Sequence, residues 1–126
     1  MGTQQRMREM FSRMVEAKDA SQLDVYYDPD FLLLTNGGTQ DLTEFRAGHE
    51  RVYPTAIGYS VAYDDDAWVE TAERLAGRVW ITVTRPGRPA RPIEVLFVAT
   101  FRAGRIHRLW ELTHPDWSQL DAFADY

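Results

Sequence analysis

The residues best suited to chemistry lie on the last strand-like run, Arg105 to Thr113. There His107, Leu109 and Glu111 share one parity, and Ile106, Arg108, Trp110 and Leu112 share the other. A histidine and a carboxylate held in a dry pocket are proton-transfer groups, because loss of hydration moves either pKa toward neutrality. Positions four apart on a strand lie about 13 Å from each other, so these two cannot form a hydrogen-bonded dyad unaided. His49, on the apolar face of a helical stretch, is the candidate partner for Glu111, which would give a general base and its orienter from separate elements. The other reading of His49 is a core histidine satisfied by one hydrogen bond. His114, next to Pro115, reads as a surface residue.

Other chemistries find no support. The histidines at positions 49, 107 and 114 lack His-x-His or His-x-x-x-His spacing and the chain has no cysteine, so no metal site is expected. Asp64, Asp65 and Asp66 alternate across a strand and cannot share one ion unless they bulge. No Gly-x-Ser-x-Gly elbow, phosphate loop or dinucleotide fingerprint occurs. A formal net charge of −5 opposes affinity for a phosphate backbone, so nucleic acid is not an expected partner. Arg85, Arg88 and Arg91 around a proline-rich turn read as a solvated hairpin tip. No apolar run approaches the roughly 20 residues that cross a bilayer, and Met1 to Arg6 is too polar for a signal peptide. With no cysteine to oxidise, the expected compartment is the cytoplasm.

The positioning elements follow from periodicity. The 126 residues make one domain, 1–126, large enough to bury roughly two thirds of its unfolded surface. Met7, Met10, Phe11, Met14 and Val15 recur every three or four residues, predicting an amphipathic helix over Gln4–Lys18 with a methionine-rich face. Asp19 or Ser21 caps a shorter second helix that Asp28-Pro29 ends. Phe31–Thr35 is a strand and Asn36-Gly37-Gly38 a hairpin turn. Asp41 with Glu44 forms a capping-box signal for a helix over Leu42–Val52, with Leu42, Phe45, His49, Val52 and Tyr53 on one face. Ile57–Tyr63 and Ala67–Thr71 have strand character, and the three aspartates between them make either a turn or a bulge in one long strand. Leu75–Arg85, Pro92–Arg102 and Arg105–Thr113 complete the sheet. Apolar residues on both parities of the middle run predict a central strand covered on both faces. From His114 the tail reads as a final turn or short helix.

The helix ending in Ala17-Lys18-Asp19, the strand after Tyr26-Tyr27-Asp28-Pro29-Asp30, and the hairpin Phe101-Arg102-Ala103-Gly104-Arg105-Ile106 together resemble the NTF2-like superfamily, in particular its SnoaL-like branch. The resemblance covers nearly the whole chain and its motifs specify fold rather than chemistry. It implies an α+β cone in which a curved antiparallel β-sheet wraps around a long N-terminal helix. It also implies a cavity for a small apolar or polyketide-like molecule, with no cofactor, and His107, Leu109 and Glu111 facing that cavity. Phe11, Met14, Asn36, Phe45, Tyr53, Tyr59 and Leu109 are then candidate ligand contacts, beside His107, Glu111 and His49 as candidate catalytic groups. The long bent strand at Asp64 to Asp66 is favoured, with the reversal near Ala72-Glu73-Arg74.

Members of the superfamily include isomerases, cyclases, dehydratases, epoxide hydrolases and proteins that only bind, so the fold does not choose among them. The positions that carry steroid-isomerase chemistry fall here near Thr35 or Asn36, Phe11, and Val98 or Ala99, and lack the required groups. Trp68, Trp80 and Trp110 take outward parity if Val79, Ile81 and Val83 point inward, which implies a homodimer through the convex face. The inverted assignment would line the cavity with them. Three readings follow: a cofactor-free lyase, isomerase or hydrolase; a binding or regulatory module without turnover; and an interaction module whose interior is filled by its own side chains.

Overall fold

Asn36-Gly37 and Ala103-Gly104 each supply two consecutive residues of positive φ, 47° and 86° in the first pair, 51° and 78° in the second. That is the backbone of a tight two-residue hairpin turn, and the sheet is built around the two. The structure, a computed structural model, describes residues 2–117. Its strands are β1 (Tyr27–Thr35), β2 (Gly38–Asp41), β3 (Gly58–Tyr63), β4 (Val69–Glu70), β5 (Arg74–Thr84), β6 (Arg91–Arg102) and β7 (Arg105–His114). They form one curved, unclosed sheet in the order β2-β1-β7-β6-β5-β3, with β4 also on β5. The expectation of a wholly antiparallel sheet is corrected: β1 runs parallel to β7. A parallel pair needs a long crossover rather than a hairpin, and everything between Thr35 and Arg105 serves as that connection.

The first helix, α1, spans Thr3–Met10 and continues without a break as a π-helical segment, Phe11–Glu16. Its wider turns are closed by Asp19 N donating to Met14 O at 2.9 Å. Both Phe11 and Met14 are turned inward and buried. Lys18 then takes φ 54°, and its ammonium donates to Thr55 O and Ile57 O at 2.6 Å each, tying the helix end to the start of β3. Asp19 accepts from Ser21 N and starts a 3₁₀ turn, Ala20–Gln22, that runs into the short α2, Leu23–Tyr26. The third helix, α3, occupies Leu42–Val52 with the full capping box: Asp41 accepts from Glu44 N at 2.9 Å, and Glu44 accepts from Asp41 N at 3.3 Å. Among the described residues no helix is long and apolar enough to cross a membrane.

Both readings of the aspartate run contain part of the answer. Ala67 N donates to Asp64 O at 3.0 Å, a turn, yet β3 and β4 on either side pair along the same strand, β5. The chain reverses where Thr71 N meets Arg74 O at 2.8 Å. The core lies against one face of the sheet. Residues of one parity, such as Val79, Ile81, Ile93, Val95 and Phe97, are at most 7% exposed, and full burial of side chains this size stabilises by about 1.5–3 kcal/mol each.

The other face is open. Strand β6 is central, as expected, but not covered on both sides: Leu96 and Val98 are 49% and 46% exposed, beside Trp110 and Leu112 on β7. The tryptophan set also divides. Trp80 and Trp110 lie on this outer face, Trp80 beneath the Arg78 guanidinium at 4.4 Å. Trp68 does not; it packs edge-on against Phe97, 5.3 Å between centroids, over Gly77. A Cβ on Gly77 would come within 2.9 Å of the Trp68 ring, so the glycine makes room for the indole. The helix or turn expected from His114 onward lies mostly outside the described residues.

Candidate active site in the sheet cavity

Helix and sheet do not fill the space between them. Met10, Phe11 and Met14 on one side and Val95, Phe97 and Leu109 on the other enclose a cavity of about 590 Å³, closed along its flank by α3. A water occupies about 30 Å³ of liquid, so the space is far larger than a few solvent molecules. Unbranched methionines give its helical wall an adaptable shape.

Glu111 is the charged group of this interior. On β7 it stands between Phe97 of β6 and Thr35 of β1. Burial among apolar side chains pushes its carboxyl up from 4.5 to about 7, and the neighbouring Thr35 hydroxyl pulls less strongly the other way. At neutral pH it therefore populates both protonation states, which is the condition for giving or taking a proton. Hydroxyls surround it with few partners. Thr35 Oγ1 and Tyr53 Oη are buried without a hydrogen-bond partner of good geometry. Tyr27 Oη donates only to Met10 Sδ, at 3.5 Å, and its phenol pKa is raised by burial and by the nearby Tyr53 and Glu111. Buried hydroxyls left unpaired cost about 1–3 kcal/mol each.

His49 lines the same cavity. Its Nδ1 donates to Phe45 O at 2.7 Å, because a carbonyl can only accept. The ring packs against Phe45 and Tyr53, 4.2 and 5.2 Å between centroids. Burial lowers its pKa, opposed in part by the bond to Phe45, so the imidazole is neutral with Nε2 free to accept. No hydrogen bond joins His49 to Glu111: the two share a cavity but do not pair. Of the two sequence readings of His49, the core-type hydrogen bond is present on one nitrogen, whereas the expected pairing with Glu111 is absent.

Among the other candidate contacts, Phe11, Met14, Phe45 and Leu109 are wall residues. Tyr59 sits edge-on to Tyr53 at 6.0 Å, its phenol pushed up to about 12 by burial. Asn36 borders the cavity with its amide already committed, donating to Thr113 Oγ1 at 2.7 Å and accepting from Thr113 N at 3.0 Å. It clamps the end of β1 to β7.

His107 is not in the cavity. Phe101 pairs with Ile106 and Thr100 with Arg108, so His107 is the extra residue of a β-bulge, and inward parity switches from even before it to odd after it. Its side chain instead borders a separate open cleft beside Asp30, Thr43, Arg102 and Arg108. There partial burial, then Arg108 and Arg102, lower its pKa. Arg102 is held by Asp28 at 2.7 Å and Asp30 at 2.9 Å. The common orientation expected for His107, Leu109 and Glu111 is therefore corrected to Leu109 and Glu111 alone. Thr35 and Tyr27 were missed as site residues. Thr35 shares the parity of Phe31 and Leu33, a signal present in the sequence; Tyr27 lies beyond a register shift in β1 that no local pattern reveals.

No family model matches the sequence, and no curated protein matches it significantly. Solved structures do share its architecture. A candidate isomerase from Rhodopseudomonas palustris superposes with a TM-score of 0.73 at 11% identity, over 90% of each chain. A SnoaL-like polyketide cyclase from Agrobacterium tumefaciens gives 0.68 at 16%, over 94% of each. An NTF2-like protein of unknown function from Cytophaga hutchinsonii gives 0.64 at 14%, over 91% of this chain and 92% of the other. This chain therefore shares the cone-shaped α+β fold of these NTF2-like and SnoaL-like proteins.

Proposed function

We propose that the cavity binds a small, largely apolar molecule of polyketide-like character and that Glu111 moves a proton on it without a cofactor, in an isomerase, lyase or hydrolase reaction. One observation carries the reading: a carboxyl that burial pushes up to about 7 stands on the wall of a largely apolar cavity of about 590 Å³. Ionised Glu111 is suited to remove a proton from carbon next to a carbonyl. The unpaired Tyr53 hydroxyl is suited to steady the oxygen that gains charge. His49 Nε2 offers a second acceptor in the same cavity, from α3. The cyclase and isomerase named among the structural neighbours support this class of chemistry.

The exposed Leu96, Val98, Trp110 and Leu112, with the half-buried Trp80 beside them, support a homodimer through the convex face, with Trp68 excluded from it. The cysteine-free sequence suits the reducing cytoplasm. Sedimentation of Trp110→Glu, monomeric where the natural chain is dimeric, tests the assembly.

Proton transfer is tested by exchange of α-hydrogens of apolar ketones such as 1-tetralone in D₂O, followed by NMR. The natural protein is expected to accelerate exchange, and Glu111→Gln to lose about 10²- to 10⁴-fold of that acceleration with its fold intact. Binding without accelerated exchange would favour the non-catalytic module instead.

A further inference from the structure

The cavity has one exposed rim. Of the residues bordering it, Gly38, Thr39 and Gln40 on β2 and Arg51 on α3 are exposed. Two features of α3 there have no structural explanation. Gly48 sits in the helix interior, where glycine costs about 1 kcal/mol relative to alanine, yet an added Cβ would meet nothing within 4 Å. Packing does not require it; a missing side chain at the rim leaves the entrance wide. Arg51, one turn further on, forms no hydrogen bond or ion pair among the described residues. Some arginines of the fold are paired, Arg46 with Asp24, Arg78 with Asp64 and Arg102 with Asp28. Arg51 shares its unpaired state with Arg88, Arg91 and Arg105 and differs from them in bordering the cavity. Asp116 also borders the cavity.

We infer that Gly48 and Arg51 form the entrance of the cavity and select a guest that carries a carboxylate at its outer end. The inference rests on the binding reading above and adds the polarity of the guest: an apolar body directed inward and one anionic group held at the rim. A guanidinium meets a carboxylate with two parallel N–H donors and matches its single charge, whereas a phosphate dianion would bring excess negative charge beside Asp116.

The test uses 2-naphthylacetate and its methyl ester, which share a ring system and differ in charge. Each is titrated into the full chain at low salt and followed by ¹H–¹⁵N NMR, so that shifts at Met10, Phe97 and Leu109 report entry into the cavity. The acid is expected to bind about three-fold tighter than the ester. In Arg51→Gln that ratio should fall to about one through loss of acid affinity alone, and in the natural chain 0.5 M salt should shrink it. Gly48→Leu should weaken both compounds, with helix content unchanged by circular dichroism. Equal affinity of acid and ester in the natural chain, with Arg51→Gln silent, would overturn the inference and leave the cavity's binding role standing. Titrations in which neither compound shifts cavity residues would overturn both.

Discussion

Glu111 and His107 stand four residues apart on one strand, and their surroundings have little in common. Glu111 faces an apolar cavity where nothing charged neutralises it, so desolvation dominates and its proton is held to about pH 7. His107 borders an open cleft among Arg102, Arg108 and Asp30, where partial burial and then the two arginines lower its pKa, opposed by the aspartates. A single bulged residue separates the two. On a pleated strand one extra residue exchanges the faces of everything beyond it, so the bulge at His107 delivers Leu109 and Glu111 to the interior while leaving the histidine outside. The lesson is that reactivity on this sheet is set by register as much as by residue type.

The sharpest way to break this contrast is kinetic. If Glu111 is the proton-transfer group, Glu111→Gln abolishes ketone exchange while His107→Ala changes it by less than about two-fold. A large loss in His107→Ala with its fold intact would place the chemistry in the wrong pocket. Stability gives the next effect. Because the folded carboxyl binds its proton more tightly than the unfolded one, folding is favoured below about pH 4.5, and that advantage fades as pH rises toward 7. The difference of about 2.5 units corresponds to up to about 3 kcal/mol. Glu111→Gln should therefore match the natural chain near pH 4 and exceed it in denaturant midpoint at pH 8, whereas His107→Gln should show no such gain at high pH. A smaller effect is expected at Thr35. Its hydroxyl favours the ionised carboxylate, so Thr35→Val should move the Glu111 titration upward, leaving that of His107 in place.

Much of this architecture was legible in the sequence because its signals are local. The Asn36-Gly37 and Ala103-Gly104 turns, the Asp41–Glu44 capping box and the methionine periodicity of the first helix each act within a few residues. Glu111, His49 and the aromatic face of α3 could be placed for the same reason. What stayed hidden depends on partners distant in sequence. The parallel pairing of β1 with β7 is invisible to any pattern within β1. The bulge at His107 exists only relative to Thr100 and Phe101 on the facing strand, so alternation alone carried the parity of Glu111 through to His107. Trp68 follows a turn that resets its register, and the reason it lies inward is the space above Gly77. Similarly, apolar residues on both faces of β6 were read as full coverage, although one face of the sheet remains open.

The central claim is that Glu111 is a buried acid tuned by its apolar surroundings. Its most direct test is the pH titration of the Glu111 side-chain carboxyl by ¹³C NMR, with Glu111→Gln to assign the resonance. A midpoint near 7 is expected; a midpoint near 4.5, the value of a carboxyl in water, would contradict the account.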